Sequence, residues 1–319
     1  MKQKIVILLA LTLLLALVAF MVKDFFFSSP EKTDSYEAGF DYRKGDTANI
    51  AYTETSQFKT GLEEIHGIAT EASGRIFVAG KEGVEIFSEK GVLETKFKIQ
   101  GSALCIAIDE NGKIYLGMEE HVEIWNTAGK QLASWKSGGT ESTFTSIAVR
   151  GNDVFVADAG QKVVCHYDLK GNMINKIGLK DPATKVPGFI IPSPYFDLGI
   201  SRDGYLWVVN PGRHQFEKYD FEGTLVTSWG KASMAMQGFC GCCNPSNFAF
   251  LNDDFVTSEK AIERIKVYHA DGSFKCIVAL PTQFEEGTKG LDLAVDKQNR
   301  ILVLDPVKML IRIFEQKKQ

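Results

Sequence analysis

One pattern recurs six times along the chain and limits its fold more than any other feature. An apolar and aromatic run bounded by Gly, Asn or Asp appears as SGRIFVA (73–79), NGKIYLG (111–117), GNDVFVA (151–157), DGYLWVV (203–209), NDDFVTS (252–258) and QNRILVL (298–304), with starts 38, 40, 52, 49 and 46 residues apart. That is the second run of each repeat, and a third run with its own turn follows: VEIFSEKG (84–91), VEIWNTAG (122–129), VCHYDLKG (164–171), FEKYDFEG (216–223), IKVYHADG (265–272) and, without the glycine, IRIFEQKK (311–318). Alternation at period two between turn residues marks strands. About four strands per repeat, at near-regular periods of this length, predict an all-β fold, a six-bladed β-propeller over residues 49–319. The sixth repeat stops after its third run, whereas NIAYTETSQFK (49–59) alternates like a spare strand ahead of the first repeat. An unpaired sheet edge invites aggregation, so segment 49–60 is expected to close the last blade.

With 319 residues and 45% of them apolar, the chain has ample material for a core, which excludes a disordered or collagen-like polymer. It carries 36 basic and 40 acidic side chains, and three of its lysines (Lys2, Lys4, Lys23) fall within residues 1–30. No basic excess remains for a phosphate backbone, which argues against a nucleic-acid partner. Ile5 to Val22 is an apolar run broken only by Thr12 and preceded by Lys2 and Lys4. That length just spans a ~30 Å hydrocarbon layer, and the preceding charges favour a cytoplasmic start. Residues 1–27 are therefore expected to form an N-terminal transmembrane helix acting as a signal-anchor, with a cleaved signal peptide as the alternative. The membrane is an expected partner through this helix. Residues 28–48 are polar and without period, a tether holding the domain on the extracytoplasmic side, in the periplasm or at the cell exterior.

The segments VADAGQKVVCHYDLKG (156–171) and LWVVNPGRHQFEKYDFEGTLVTSWG (206–230) resemble NHL repeats, whose form is a strand, an Asp-bearing loop, a strand ending near Tyr-Asp or Phe-Asp, and a Gly turn. Asn210 stands where that Asp would be in the second segment, and the likeness extends over roughly residues 60–319. The resemblance implies a propeller but no single activity, since the family includes scaffolds, ligand-binding modules and a metal-dependent lyase. In that lyase, histidines from several blades bind zinc at the channel; here only His66 stands near the equivalent position.

Three connections between repeats are long: 179–194, 231–245 and 280–290. Ordinary connections are about two to six residues, so these are expected to build one binding face for a protein or small-molecule ligand. Within the middle loop, Cys240, Cys242 and Cys243 fall in four positions around Gly241. Closely spaced thiolates can hold zinc, copper or part of an iron–sulfur cluster, with His66 as a further candidate ligand. Outside the cytoplasm the same thiols could instead pair, as a Cys242–Cys243 ring or as a bond from Cys240 to Cys276 or Cys165, or act as a redox pair. The position before the apolar-Ala or apolar-Gly step of each first strand reads Gly67, Cys105, Ser146, Asp197, Asn247 and Asp292. These should converge on the propeller axis, where two buried carboxylates need water, hydrogen bonds or a hard cation such as calcium. Arg213 and His214 are expected on the same face and suited to an anionic ligand. The leading reading is a tethered propeller that binds a ligand or partner on the long-loop face, with Arg213, His214, Asp197, Asp292 and Asn247 contributing. The alternative is a metal-dependent enzyme or redox protein centred on the cysteine cluster.

Overall fold

A computed structural model describes residues 47–136, 139–183, 186–241 and 243–318, so the proposed anchor and nearly all of the tether lie outside the described residues. Among the described residues no helix is long and apolar enough to cross a membrane. The first strand, β1 (Tyr52–Lys59), precedes six antiparallel sheets that follow one another along the chain. Blade 1 is β2 (Ile65–Thr70), β3 (Ile76–Phe87) and β4 (Leu93–Ser102). Here β3 passes through Glu82 at φ 55°, and its two halves pair with different neighbours, residues 76–80 with β2 and 81–87 with β4. Blade 2 is β5 (Cys105–Ile108), β6 (Ile114–Gly117), β7 (Val122–Trp125) and β8 (Gln131–Trp135), and blade 3 is β9 (Phe144–Arg150), β10 (Asp153–Asp158), β11 (Val163–Asp168) and β12 (Met173–Ile177). Blade 4 is β13 (Leu198–Ile200), β14 (Leu206–Asn210), β15 (Gln215–Tyr219) and β16 (Leu225–Trp229), and blade 5 is β17 (Asn247–Leu251), β18 (Asp254–Ser258), β19 (Ile265–Tyr268) and β20 (Phe274–Ala279). Blade 6 joins β21 (Leu293–Val295), β22 (Ile301–Asp305) and β23 (Leu310–Gln316) to β1, which pairs antiparallel with β23.

The core lies between blades rather than inside them, because each sheet has two apolar faces. Ile86 and Phe77 of blade 1 meet Ile106 and Leu116 of blade 2, and the ring closes where Val78 and Ile65 meet Leu302 and Ile311 of blade 6. Each such buried side chain contributes roughly 1.5–3 kcal/mol. The tryptophans sit at these seams: Trp135 of blade 2 packs 5.7 Å from Tyr167 of blade 3, and Trp229 of blade 4 lies 5.0 Å from Phe255 of blade 5.

The recurring glycine of the third run has a steric reason at the same seams. Gly171 (φ 83°) and Gly272 (φ 82°) adopt the left-handed conformation that a side chain resists. A Cβ would also stand 2.5 Å from the Trp135 ring at Gly171 and 2.6 Å from the Trp229 ring at Gly272. The glycine therefore closes its own turn and seats the outer-strand aromatic of the preceding blade.

Candidate functional site

The innermost strands bring their small and polar residues together at the axis. Ser146 Oγ donates to Asp197 Oδ1 (2.5 Å), which also accepts the Leu198 N–H (2.8 Å), while Asp197 Oδ2 accepts the Phe248 N–H of blade 5 (2.7 Å). Asp292 repeats the device two blades further round the ring. Its Oδ2 accepts the Ile68 N–H of blade 1 (2.9 Å), and its Oδ1 accepts from Leu293 N (2.9 Å) and Asn247 Nδ2 (3.4 Å). Each aspartate thus ties its own inner strand to the next blade. Burial raises the Asp197 carboxyl to about 6 against its hydrogen bonds, and burial together with the nearby Asp197 charge raises Asp292 to about 7. The Cys105 thiol is pushed up by burial and by both carboxylates.

Above this ring, at the mouth of the channel, lies a cavity of about 280 Å³ to which all six blades contribute. Its polar side chains are His66, Thr143, Thr145, Asn247, Lys289 and Asp292; Tyr195 and Phe196 supply rings, and Ile65, Leu104, Pro194 and Pro306 complete the apolar wall. Thr145 donates its hydroxyl proton to the Phe196 carbonyl (2.6 Å), and the Asn247 Oδ1 is buried without a hydrogen-bond partner. Burial lowers the His66 pKa, against the opposing influence of Glu64, which favours the neutral imidazole.

The three long loops meet at one turn of blade 5, residues 259–264. Lys260 Nζ reaches Ser193 Oγ of the first loop (3.0 Å), and Lys260 N donates to Asn244 Oδ1 of the second (2.7 Å). The Gly287 N–H of the third donates to Glu263 Oε1 (2.7 Å). Ala261 (φ 64°) and Glu263 (φ 49°) hold the left-handed region without being glycine, a local cost offset by these contacts. Beneath the turn, Glu259, Arg264 and Lys266 form a buried ionic group. Arg264 donates to both Glu259 oxygens (3.0 and 2.7 Å), while Lys266 Nζ contacts Glu259 Oε1 (2.7 Å) and donates to Gly238 O (2.7 Å) and Met236 O (3.1 Å). Burial lowers Lys266 to about 8 despite Glu259; burial would raise Glu259, but the two cations hold it below its ordinary value. The Cys240 N–H donates to Glu259 Oε2 (3.1 Å), so this group anchors the cysteine loop from below.

Of the residues expected at the site, Asn247, Asp292 and His66 line the cavity. Asp197 lies in the hydrogen-bonded ring and not in the cavity wall. Arg213 and His214 brace neighbouring loops, Arg213 Nη2 donating to Pro187 O (3.4 Å) and His214 Nδ1 to Asn244 O (3.0 Å). The expected bonds from Cys240 to Cys165 or Cys276 are not formed: all three are free thiols, with Cys165 on β11 of blade 3 and Cys276 on β20 of blade 5. Cys240 Sγ instead meets Met234 Sδ at 2.7 Å. Cys243 is buried, and its thiol adds to burial in raising the Tyr195 pKa. Cys242 lies outside the described residues. Among the described residues, no three His, Cys, Asp or Glu side chains form a group suited to a metal. The sequence reading missed Thr145, Tyr195, Phe196 and Lys289. Their signal was positional, for Thr145 and Phe196 directly precede ring positions and Tyr195 stands two residues before one.

No protein-family model and no curated protein matches the chain. Among solved structures it is similar to a streptogramin B lyase, at 9% identity and a TM-score of 0.55 over 83% of this chain and 98% of that one. It is also similar to virginiamycin B lyase from Staphylococcus aureus, at 13% identity and a TM-score of 0.53 over 84% and 90%. The WD40 propeller domain of Doa1 matches at 12% identity and a TM-score of 0.55 over 81% of each chain. At such identities the likeness shows the fold alone. The chain is a six-bladed β-propeller.

Proposed function

We propose that this propeller binds a small molecule in the cavity at its channel mouth, on the face carrying the three long loops. The observation that carries the reading is the convergence of all six blades on one concavity lined by both polar and apolar side chains. Its volume of about 280 Å³ is near the lower end for small-molecule sites, ~300 Å³, which favours a compact ligand. The Asp158 and Asn210 positions support an NHL-type repeat: Asp158 Oδ1 accepts the Thr143 N–H (3.0 Å) and Asn210 Oδ1 the Ile190 N–H (3.0 Å), each clamping the crossing that enters its blade. The apolar run 5–22 supports membrane tethering, with the propeller on the extracytoplasmic side. The test is thermal stabilisation of the full chain by a mixed set of small amines, acids, alcohols, sugars and nucleosides, repeated with Thr145→Trp to fill the cavity. Compounds that stabilise the parent and not the variant support the reading; compounds that stabilise both equally, or none at all, overturn it.

A further inference from the structure

We propose that the cavity selects a primary ammonium group carried on a small apolar body. The inference rests on the cavity being a ligand site and adds the chemical class. Its floor offers hydrogen-bond acceptors. Asp292 Oδ2 accepts only the Ile68 N–H, which leaves it a lone pair. The Thr145 hydroxyl directs its proton away to Phe196 O and so presents only acceptor capacity, while Asn247 Oδ1, unpartnered among the described residues, is buried just beneath the surface. An ammonium, with three N–H donors and no acceptor, complements such a floor, whereas a carboxylate or carbonyl would meet acceptor against acceptor. A hydroxyl could supply one donor but no charge.

The charges around the floor agree. Asp197 stands close enough to raise the Asp292 pKa, and the buried Cys105 thiol beside them is held neutral. Burial lowers the His66 pKa and so favours its neutral form. Of the two cations nearby, Lys289 is exposed, and Lys260 is half-buried and engaged by Ser193 with its Nζ 5.0 Å from the Tyr195 ring. They disfavour an ammonium at the rim and leave the floor as its favourable place. Ile65, Leu104, Pro194, Phe196 and Pro306 suit an apolar body.

A cation on Asp292 needs the carboxylate ionised, so it must displace a proton bound with a pKa of about 7. The test uses the full chain and three compounds sharing one body: 2-phenylethylammonium, 2-phenylethanol and phenylacetate. Titration calorimetry in buffers of different ionisation enthalpy should show the amine binding at least about tenfold more tightly than the others, a factor one well-placed charged contact supplies. Binding at pH 7 should release about half a proton, and affinity should fall about tenfold between pH 8 and pH 6 as the proton competes. Asp292→Asn should abolish both the preference and the proton release. Should that variant misfold, proton release by the parent protein decides alone. Amine binding without proton release, or tighter binding of the alcohol or the acid, overturns the ammonium assignment and leaves the cavity reading standing. Failure of all three compounds to bind overturns this assignment, while the mixed set of small molecules and the Thr145→Trp variant separately decide whether the cavity takes any ligand.

Discussion

Asp197 directs both carboxylate oxygens at neighbouring strands, whereas Asp292 keeps part of its carboxyl toward the cavity, and the two titrate above the ordinary range because desolvation, joined at Asp292 by the Asp197 charge, disfavours ionisation. From their ordinary value of 3.8 they rise to about 6 and about 7. Between pH ~4 and ~7 the folded protein therefore holds protons that the unfolded chain has released, so stability falls as pH rises through that window. A tenfold difference in proton affinity between the folded and unfolded chain corresponds to about 1.4 kcal/mol. The urea midpoint should be higher at pH 5 than at pH 8, and Asp292→Asn should flatten the difference; an equal slope in the variant would assign the pH dependence to other groups. The ring was legible in the sequence because a polar residue at an inner-strand position stands out when six repeats are laid together. The cavity wall was less legible, since Thr145, Tyr195 and Phe196 are unremarkable in composition and acquire meaning only from the direction in which the inner strands present them. A second buried polar position was also visible but unread: Glu85, Glu123, Cys165, Glu217, Lys266 and Arg312 occupy the same place in successive third runs, and all are buried.

At the scale of elements, the three long loops were visible by length, but the turn that joins them was not, because EKAIER (259–264) reads as an ordinary polar connection. Its role comes from the buried Glu259–Arg264–Lys266 group, whose members attract one another strongly only because they share a dry environment. Lys266→Met should remove the donor to Gly238 O and Met236 O and leave Glu259 with Arg264 alone, costing about 3 kcal/mol in urea unfolding. A loss below about 1 kcal/mol would mean that the lysine only fills space. The cysteine loop gives an independent readout. Cys165 and Cys276 are buried, and burial pushes their thiols up to about 11, whereas Cys240 is partly exposed. Iodoacetamide on the native protein should therefore modify Cys240 well before Cys105, Cys165 or Cys276, as read by peptide mapping, because the thiolate is the reacting form. Lys266→Met should quicken Cys240 labelling further by loosening its loop; unchanged kinetics would detach the loop from the ionic group.

For the whole molecule, the decisive pairing joins residues far apart in the chain. β1 lies along β23 from Tyr52↔Gln316 to Lys59↔Leu310, and Arg312 donates to both Glu54 oxygens (3.1 and 2.5 Å). Arg312 also donates to Gln283 O (2.7 Å) and stacks 4.6 Å from the Phe284 ring, so one side chain connects the closing strand to the last long crossing. The pairing was hinted at by alternation in 49–59, but its register was not legible, because the Glu54 and Arg312 that fix it are separated by nearly the whole propeller. Without β1, β23 would present an open edge backed by apolar Ile311 and Ile313, the arrangement that recruits other chains. Deletion of residues 49–60 should therefore abolish recovery of monomeric, folded propeller, measured by size exclusion and thermal unfolding. Glu54→Gln, which keeps the strand and removes the charge, should lower stability by only about 1–3 kcal/mol and leave the protein monomeric. A stable monomer from the deletion would show that ring closure depends on the seams between blades alone; aggregation from both variants would give the ion pair, rather than the strand, the larger part in holding the ring shut.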